Sequence, residues 1–99
     1  MSNLTKLEKL IYDSVCVNEE TTFCYLQEAS IPWIIEGNGS KIVIDRLEIK
    51  KILLSLSQKG LIVAKLSNVK GYIDFYLASP VEIVVAKQGN VSIPKELTD

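Results

Sequence analysis

The chain has 99 residues, 47% of them hydrophobic and 23% charged. This composition excludes a disordered tail, a collagen-like chain and a coiled-coil rod, and the length sets one domain with one core and little left for a deep enzyme cleft. Eleven Lys and Arg against twelve Asp and Glu give a net charge of −1, so the overall charge advertises no nucleic-acid partner.

Thr5-Lys6-Leu7-Glu8 has the capping-box form. Leu4, Leu7, Leu10 or Ile11, and Ser14 or Val15 follow at helical spacing, which predicts a first helix ending near Val17-Asn18. Thr22 is the expected cap of a second helix through Glu28 or Ala29, with Phe23, Leu26 and Ala29 facing inward. Glu19-Glu20 ahead of that helix is accounted for by its dipole. Pro32 discourages continuation. Between Trp33 and Ile44, two β-prone segments flank Gly37-Asn38-Gly39. A small hairpin is the first expectation there, and a loop with one strand at 42–44 the alternative. Trp33 is expected as a core or lid residue.

Asp45 caps a predicted helix over 46–59 that Gly60 stops. Ile49, Ile52, Leu53 and Leu56 form its core stripe, and Leu47 and Leu54 a second stripe that a partner or the 31–44 segment would cover. Leu61–Leu66 reads as a strand, 67–71 as a turn and Tyr72–Leu77 as the returning strand. Tyr72 and Tyr76 share the outer face with Asp74 by strand alternation. Val81–Ala86 reads as another strand, Gln88-Gly89-Asn90 as a turn, Val91–Ile93 as its short partner, and the residues from Pro94 as a frayed tail.

Catalysis has little support. The chain has no His, so the commonest general base is missing and no Ser-His or Cys-His pair can form. Gly37-Asn38-Gly39-Ser40-Lys41 lacks the phosphate-loop spacing. Cys16 and Cys24 are expected as buried thiols, with a disulfide as the alternative. Neither a metal site nor a cofactor nor a small-molecule substrate is expected. Charges at Lys6, Glu8 and Lys9 interrupt any signal-peptide core, and no apolar run reaches the length of a membrane span. A cytoplasmic location is therefore expected, and the sequons at Asn3 and Asn90 are expected to be chance matches.

Helix, helix, strand, helix, hairpin is the order of a winged-helix domain. Leu53-x-x-Leu56-x-x-x-Gly60-Leu61-Ile62 resembles that family's junction between third helix and wing, and Gly71-Tyr72 with Tyr76-Leu77 is similar to its closing wing strand. The resemblance covers residues 4–78. It implies an α+β fold: a three-helix winged-helix domain over 1–79 with a hairpin wing, and a C-terminal hairpin extension over 80–99 beside it, one domain overall. The chain departs from the pattern in the fifteen or so residues between its second and third helices. Residues 85–97 are similar to the opening strand-turn-strand of the AbrB/MazE hairpin; an intact domain of that type is not expected, and a plain β-hairpin is the expectation.

The near-zero total charge hides an asymmetry. Residues 1–40 carry two cations against six anions, and residues 41–73 seven cations against two anions. The resemblance implies that the third helix and wing touch double-stranded DNA, which makes Lys41, Arg46, Lys50, Lys51, Lys65 and Lys70 the candidate phosphate ligands. The expected function is a homodimeric transcriptional or replication regulator. The helix has one Arg and no Asn, so its contacts would be mostly to phosphate. The alternative is a protein–protein interaction module without DNA binding, using Leu47, Leu54 and the 81–93 hairpin.

Overall fold

The computed structural model describes residues 4–18, 20–37, 40–89 and 91–98. The order among them is α1 (Lys6–Asn18), β1 (Glu20–Cys24), β2 (Trp33–Gly37), β3 (Ser40–Ile44), α2 (Arg46–Gln58), β4 (Ile62–Leu66), β5 (Tyr72–Leu77), α3 (Pro80–Lys87) and α4 (Lys95–Thr98). The protein is thus a small α+β domain with antiparallel sheets. One sheet has the strand order β1-β5-β4, and the other is the hairpin β2-β3.

The capping box predicted for α1 is formed. The Glu8 N–H donates to Thr5 Oγ1 at 3.1 Å and the Thr5 N–H to Glu8 Oε1 at 3.2 Å. In α2, Asp45 accepts from the Leu47 N–H, and Ile49, Ile52, Leu53 and Leu56 are all buried as the stripe requires. Gly60 follows with φ +74°, the left-handed conformation that ends the helix. The core lies where this stripe meets Ile11 and Val15 of α1 and the inward side chains of the sheet, namely Phe23, Ile62, Ala64, Ile73 and Phe75.

The second predicted helix does not form. Residues 20–24 are strand β1, antiparallel to β5, with Thr22 opposite Asp74 and Phe23 opposite Ile73. Thr21-Thr22-Phe23 is β-branched and aromatic, and pairing with β5 decides its conformation over the weak cap signal at Thr22. Phe23 is buried as expected, whereas Leu26 and Ala29 are exposed. Glu20 lies in the strand, not before a helix, and Glu19 falls outside the described residues. Three strands therefore separate α1 from α2 where the three-helix arrangement requires a helix.

The hairpin expected over 33–44 is present, in the register Trp33↔Ile44, Ile34↔Val43 and Ile35↔Ile42. Ile35 and Ile44 are buried, with Trp33 and Ile42 packed against the core, while Ile34 and Val43 face solvent. Asn38 and Gly39 of its predicted turn lie outside the described residues.

The C-terminal hairpin is replaced by helices. Val81–Ala86 is β-prone, but Ser79-Pro80-x-Glu82 supplies a complete capping box with Pro in the first turn, and Gly89 follows the helix at φ +80°. No strand forms among the described residues of 91–93, and Asn90 is outside them. The expected frayed tail is helix α4, whose Leu97 is 1% exposed in the core.

Candidate interaction surfaces

The six cations expected on one patch take different positions. Arg46 is interior, 4% exposed. Its guanidinium donates to the Cys24 carbonyl and lies 4.9 Å from the Phe23 ring centroid and 5.5 Å from that of Trp33. The two rings are themselves 5.0 Å apart. This cluster joins α2 to β1 and β2 and leaves no arginine for a phosphate. Arg46 is therefore withdrawn from the candidate DNA contacts.

Lys65 is on the outer face of the sheet. It stands opposite Asp74 in the β4-β5 register, with its ammonium 5.9 Å from the Tyr76 ring centroid. Glu20, Thr22, Tyr72, Asp74 and Tyr76 share that face, as strand alternation requires. The Thr22 hydroxyl donates to Asp74 Oδ1 at 2.9 Å, and the Tyr76 hydroxyl to Glu20 Oε1 at 3.5 Å. Partial desolvation and the carboxylates of Glu20 and Asp74 raise the Tyr76 pKa. One lysine among two carboxylates does not make a phosphate surface.

Lys51 is exposed on the solvent side of α2, whose opposite side packs on the inner face of the same sheet. Lys51 and Lys65 therefore lie on opposite sides of the core. Lys50 is half-buried beside Lys51, and both Lys41, on the outer face of the hairpin, and Lys50 are engaged with neighbours. Lys70 is exposed in the turn between β4 and β5.

The two leucines of the second stripe also part company. Leu47 is 55% exposed, so the hairpin does not cover it, whereas Leu54 is half-buried against the core. The interaction-module alternative placed an apolar surface in the 81–93 segment as a hairpin, and the apolar exposure found there is on a helix instead. Helix α3 buries none of its residues and presents Val81, Val84 and Val85, which are 72%, 54% and 38% exposed. Their i, i+3, i+4 spacing aligns them in one stripe. The opposite side of α3 rests on the end of α2: a Cβ on Gly60 would stand only 2.2 Å from Ala86 Cβ. The Ser79–Glu82 box was legible in the sequence and would have located this helix.

Beside α3 is a cleft of about 310 Å³, lined by β4 from Ile62 to Lys65, by Glu82, Val85 and Ala86, and by Val91 and Ser92. The hydrogen bonds that Ser79 makes to the Glu82 carboxyl hold it below the usual carboxylate range. Cys16 and Cys24 are free thiols, half-buried rather than buried. Among the described residues no His, Cys, Asp and Glu side chains cluster as metal ligands, and no helix is long and apolar enough to cross a membrane. Neither a family model nor a curated protein sequence matches the chain.

Proposed function

We propose that the protein is a homo-oligomeric protein–protein interaction module, non-catalytic and winged-helix-like in the part formed by α1, α2 and the β4-β5 hairpin. The observation that carries this reading is the valine stripe of α3, an apolar helix face with no covering element among the described residues. Apolar surface of this kind is disfavoured in water and gains free energy when a second polypeptide covers it. The exposed Leu47 and the Ile34–Val43 pair add apolar area elsewhere. The test is light scattering over a concentration series for the wild type and for Val81→Asp/Val84→Asp. The expected wild-type mass rises above that of one chain, and the variant returns to it with an unchanged circular dichroism spectrum. A wild type that stays a single chain at every concentration overturns the oligomer.

Duplex DNA binding is the second reading. It is favoured by exposed Lys51 on α2, with Lys50 beside it, and by Lys70 at the hairpin turn. Without Arg46, and with Lys65 beside Asp74, it has fewer phosphate ligands than the sequence promised. Anisotropy of labelled duplex DNA at several salt concentrations decides it. DNA binding requires a negative log–log salt slope that shrinks in Lys50→Glu/Lys51→Glu. The interaction module requires a flat response even at low salt.

A further inference from the structure

We propose that the outer face of the three-stranded sheet binds an arginine side chain displayed by a partner protein, in the hollow between β1 and the β4-β5 turn. The inference rests on the interaction-module reading and supplies a second surface and the chemistry of its ligand.

The hollow has a volume of about 430 Å³. It is lined by Glu20 and Thr22 of β1, by Tyr72 and Asp74 of β5, and by Ser67 and Val69 of the turn. Asp74 stands opposite Thr22, and Glu20 opposite Tyr76, two positions along the same face. The two carboxylates are therefore diagonal neighbours on adjacent strands, with backbones roughly 7 Å apart. Each accepts from one hydroxyl, Asp74 through Oδ1 from Thr22 and Glu20 through Oε1 from Tyr76. These bonds orient the carboxylates, and a carboxylate has further acceptor sites for N–H donors. Among the described residues no cation lines the hollow. Lys65, across from Asp74, lines the cleft beside α3 instead, with its ammonium over the Tyr76 ring.

Carboxylates alone attract any cation, and the rest of the lining narrows the choice. Tyr72 is 37% exposed and puts an aromatic ring beside Asp74 on the same face of β5. An aromatic ring favours a flat, weakly hydrated cation. Two carboxylates on neighbouring strands suit a planar fork of N–H donors better than a compact, strongly hydrated ammonium. Val69, 61% exposed, offers apolar surface to a methylene stem. A guanidinium on an aliphatic stem meets all of these conditions. A second copy cannot supply it, because Arg46 is the chain's only arginine and is buried in the core. A free amino acid would bring a carboxylate of its own toward the same two anions, so the ligand is an arginine within a polypeptide.

The experiment titrates the isotope-labelled full chain with N-acetyl-arginine amide and follows it by nuclear magnetic resonance. N-acetyl-lysine amide, N-acetyl-citrulline amide and free arginine are titrated alongside. Blocked arginine is expected to shift the amide signals of Thr22, Ser67, Tyr72 and Asp74 to saturation. The citrulline compound has the same shape without the charge and should bind at least about tenfold more weakly. Asp74→Asn and Glu20→Gln each keep an acceptor for the neighbouring hydroxyl, so the fold is retained, and each should weaken binding by about tenfold. Lys65→Met removes a nearby competing charge and should tighten it. The proposal is overturned by shifts confined to other surfaces, by equal binding of the lysine or citrulline compound, or by tighter binding of free arginine. Wild-type binding in both Asp74→Asn and Glu20→Gln overturns it as well. If the chain nevertheless forms oligomers, the interaction module stands without this site. If it stays a single chain at every concentration and takes no arginine, both readings fall.

Discussion

The Glu8 carboxylate and the Lys59 ammonium are 2.8 Å apart, although 51 positions separate them in sequence. The pair ties the first turn of α1 to the residue that follows α2. The same carboxylate accepts from the Ser55 hydroxyl at 2.8 Å and from the Thr5 N–H at 3.2 Å. Lys59 above all, then Thr5 and Ser55, hold its pKa at about 2 against an ordinary 4.5. One side chain thus caps a helix and fastens two helices.

Because the Glu8 pKa is lower in the folded chain than in the unfolded one, its stabilisation is complete above the ordinary value of 4.5 and is lost as pH falls toward 2. Urea unfolding of wild type and Glu8→Gln across this range tests the linkage. At neutral pH the variant is expected to be less stable by about 1–3 kcal/mol, the cost of breaking charge-assisted hydrogen bonds. The wild type should lose that advantage on acidification, so the two curves converge. Curves that stay parallel down to pH 2 would show that the carboxylate is not coupled to folding.

Arg46 behaves as a core residue in spite of its charge. Substituting Ala removes the guanidinium from between Phe23 and Trp33 and leaves the Cys24 carbonyl without its donor. The expected loss is about 2–4 kcal/mol. Arg46→Lys should recover little of it, since a compact ammonium cannot reproduce the planar stacking. Chemical denaturation gives the magnitude, and near-ultraviolet circular dichroism reports on Trp33. A stable Arg46→Ala with an unchanged aromatic spectrum would return the residue to the surface set.

Local signals that agreed with their tertiary setting were legible in the sequence. Helix α2 has its cap, its stripe and its glycine within sixteen consecutive residues, from Asp45 to Gly60, and all three hold. The hairpins at 33–44 and 62–77 follow from β-prone segments around turn residues. Two segments misled for opposite reasons. At 20–24 a cap signal lost to pairing with β5, a partner 48 to 56 positions away that no local window contains. At 80–87 β-branched residues suggested a strand, and the Ser79–Glu82 box with Pro80 overrode them. The proposed basic patch was least legible. Charge counted along the chain does not say that Arg46 turns inward or that Lys65 and Lys51 stand on opposite sides of a core.

Gly60 serves both the backbone and the packing of α3. Its φ of +74° disfavours any L side chain, and an added Cβ would stand 2.2 Å from Ala86 Cβ. Gly60→Ala is expected to cost about 2–4 kcal/mol, conformational strain and overpacking together. Gly89 isolates the first contribution, because its φ is +80° and nothing lies within 4 Å of an added Cβ. Gly89→Ala should cost only about 1–2 kcal/mol. In a double-mutant cycle, Ala86→Gly should rescue part of the Gly60→Ala loss and none of the Gly89→Ala loss. Equal costs at the two glycines, with no rescue, would mean that α3 does not rest on Gly60.

Leu97 places the last described turn of the chain inside the core. It is 1% exposed and belongs to the same cluster as Leu53 and Phe75. A frayed tail would make Leu97→Ala nearly neutral, as surface substitutions are. A buried leucine instead loses transfer free energy and leaves a cavity, so about 2–4 kcal/mol is expected. Thr98→Ala removes only an exposed hydroxyl that donates to the Lys95 carbonyl, and should change stability by less than about 1 kcal/mol. Denaturant midpoints of the two variants measured side by side separate a helix that holds the domain together from one that merely follows it. If both are neutral, α4 contributes nothing to the fold, and α2 must find cover for its buried face without it.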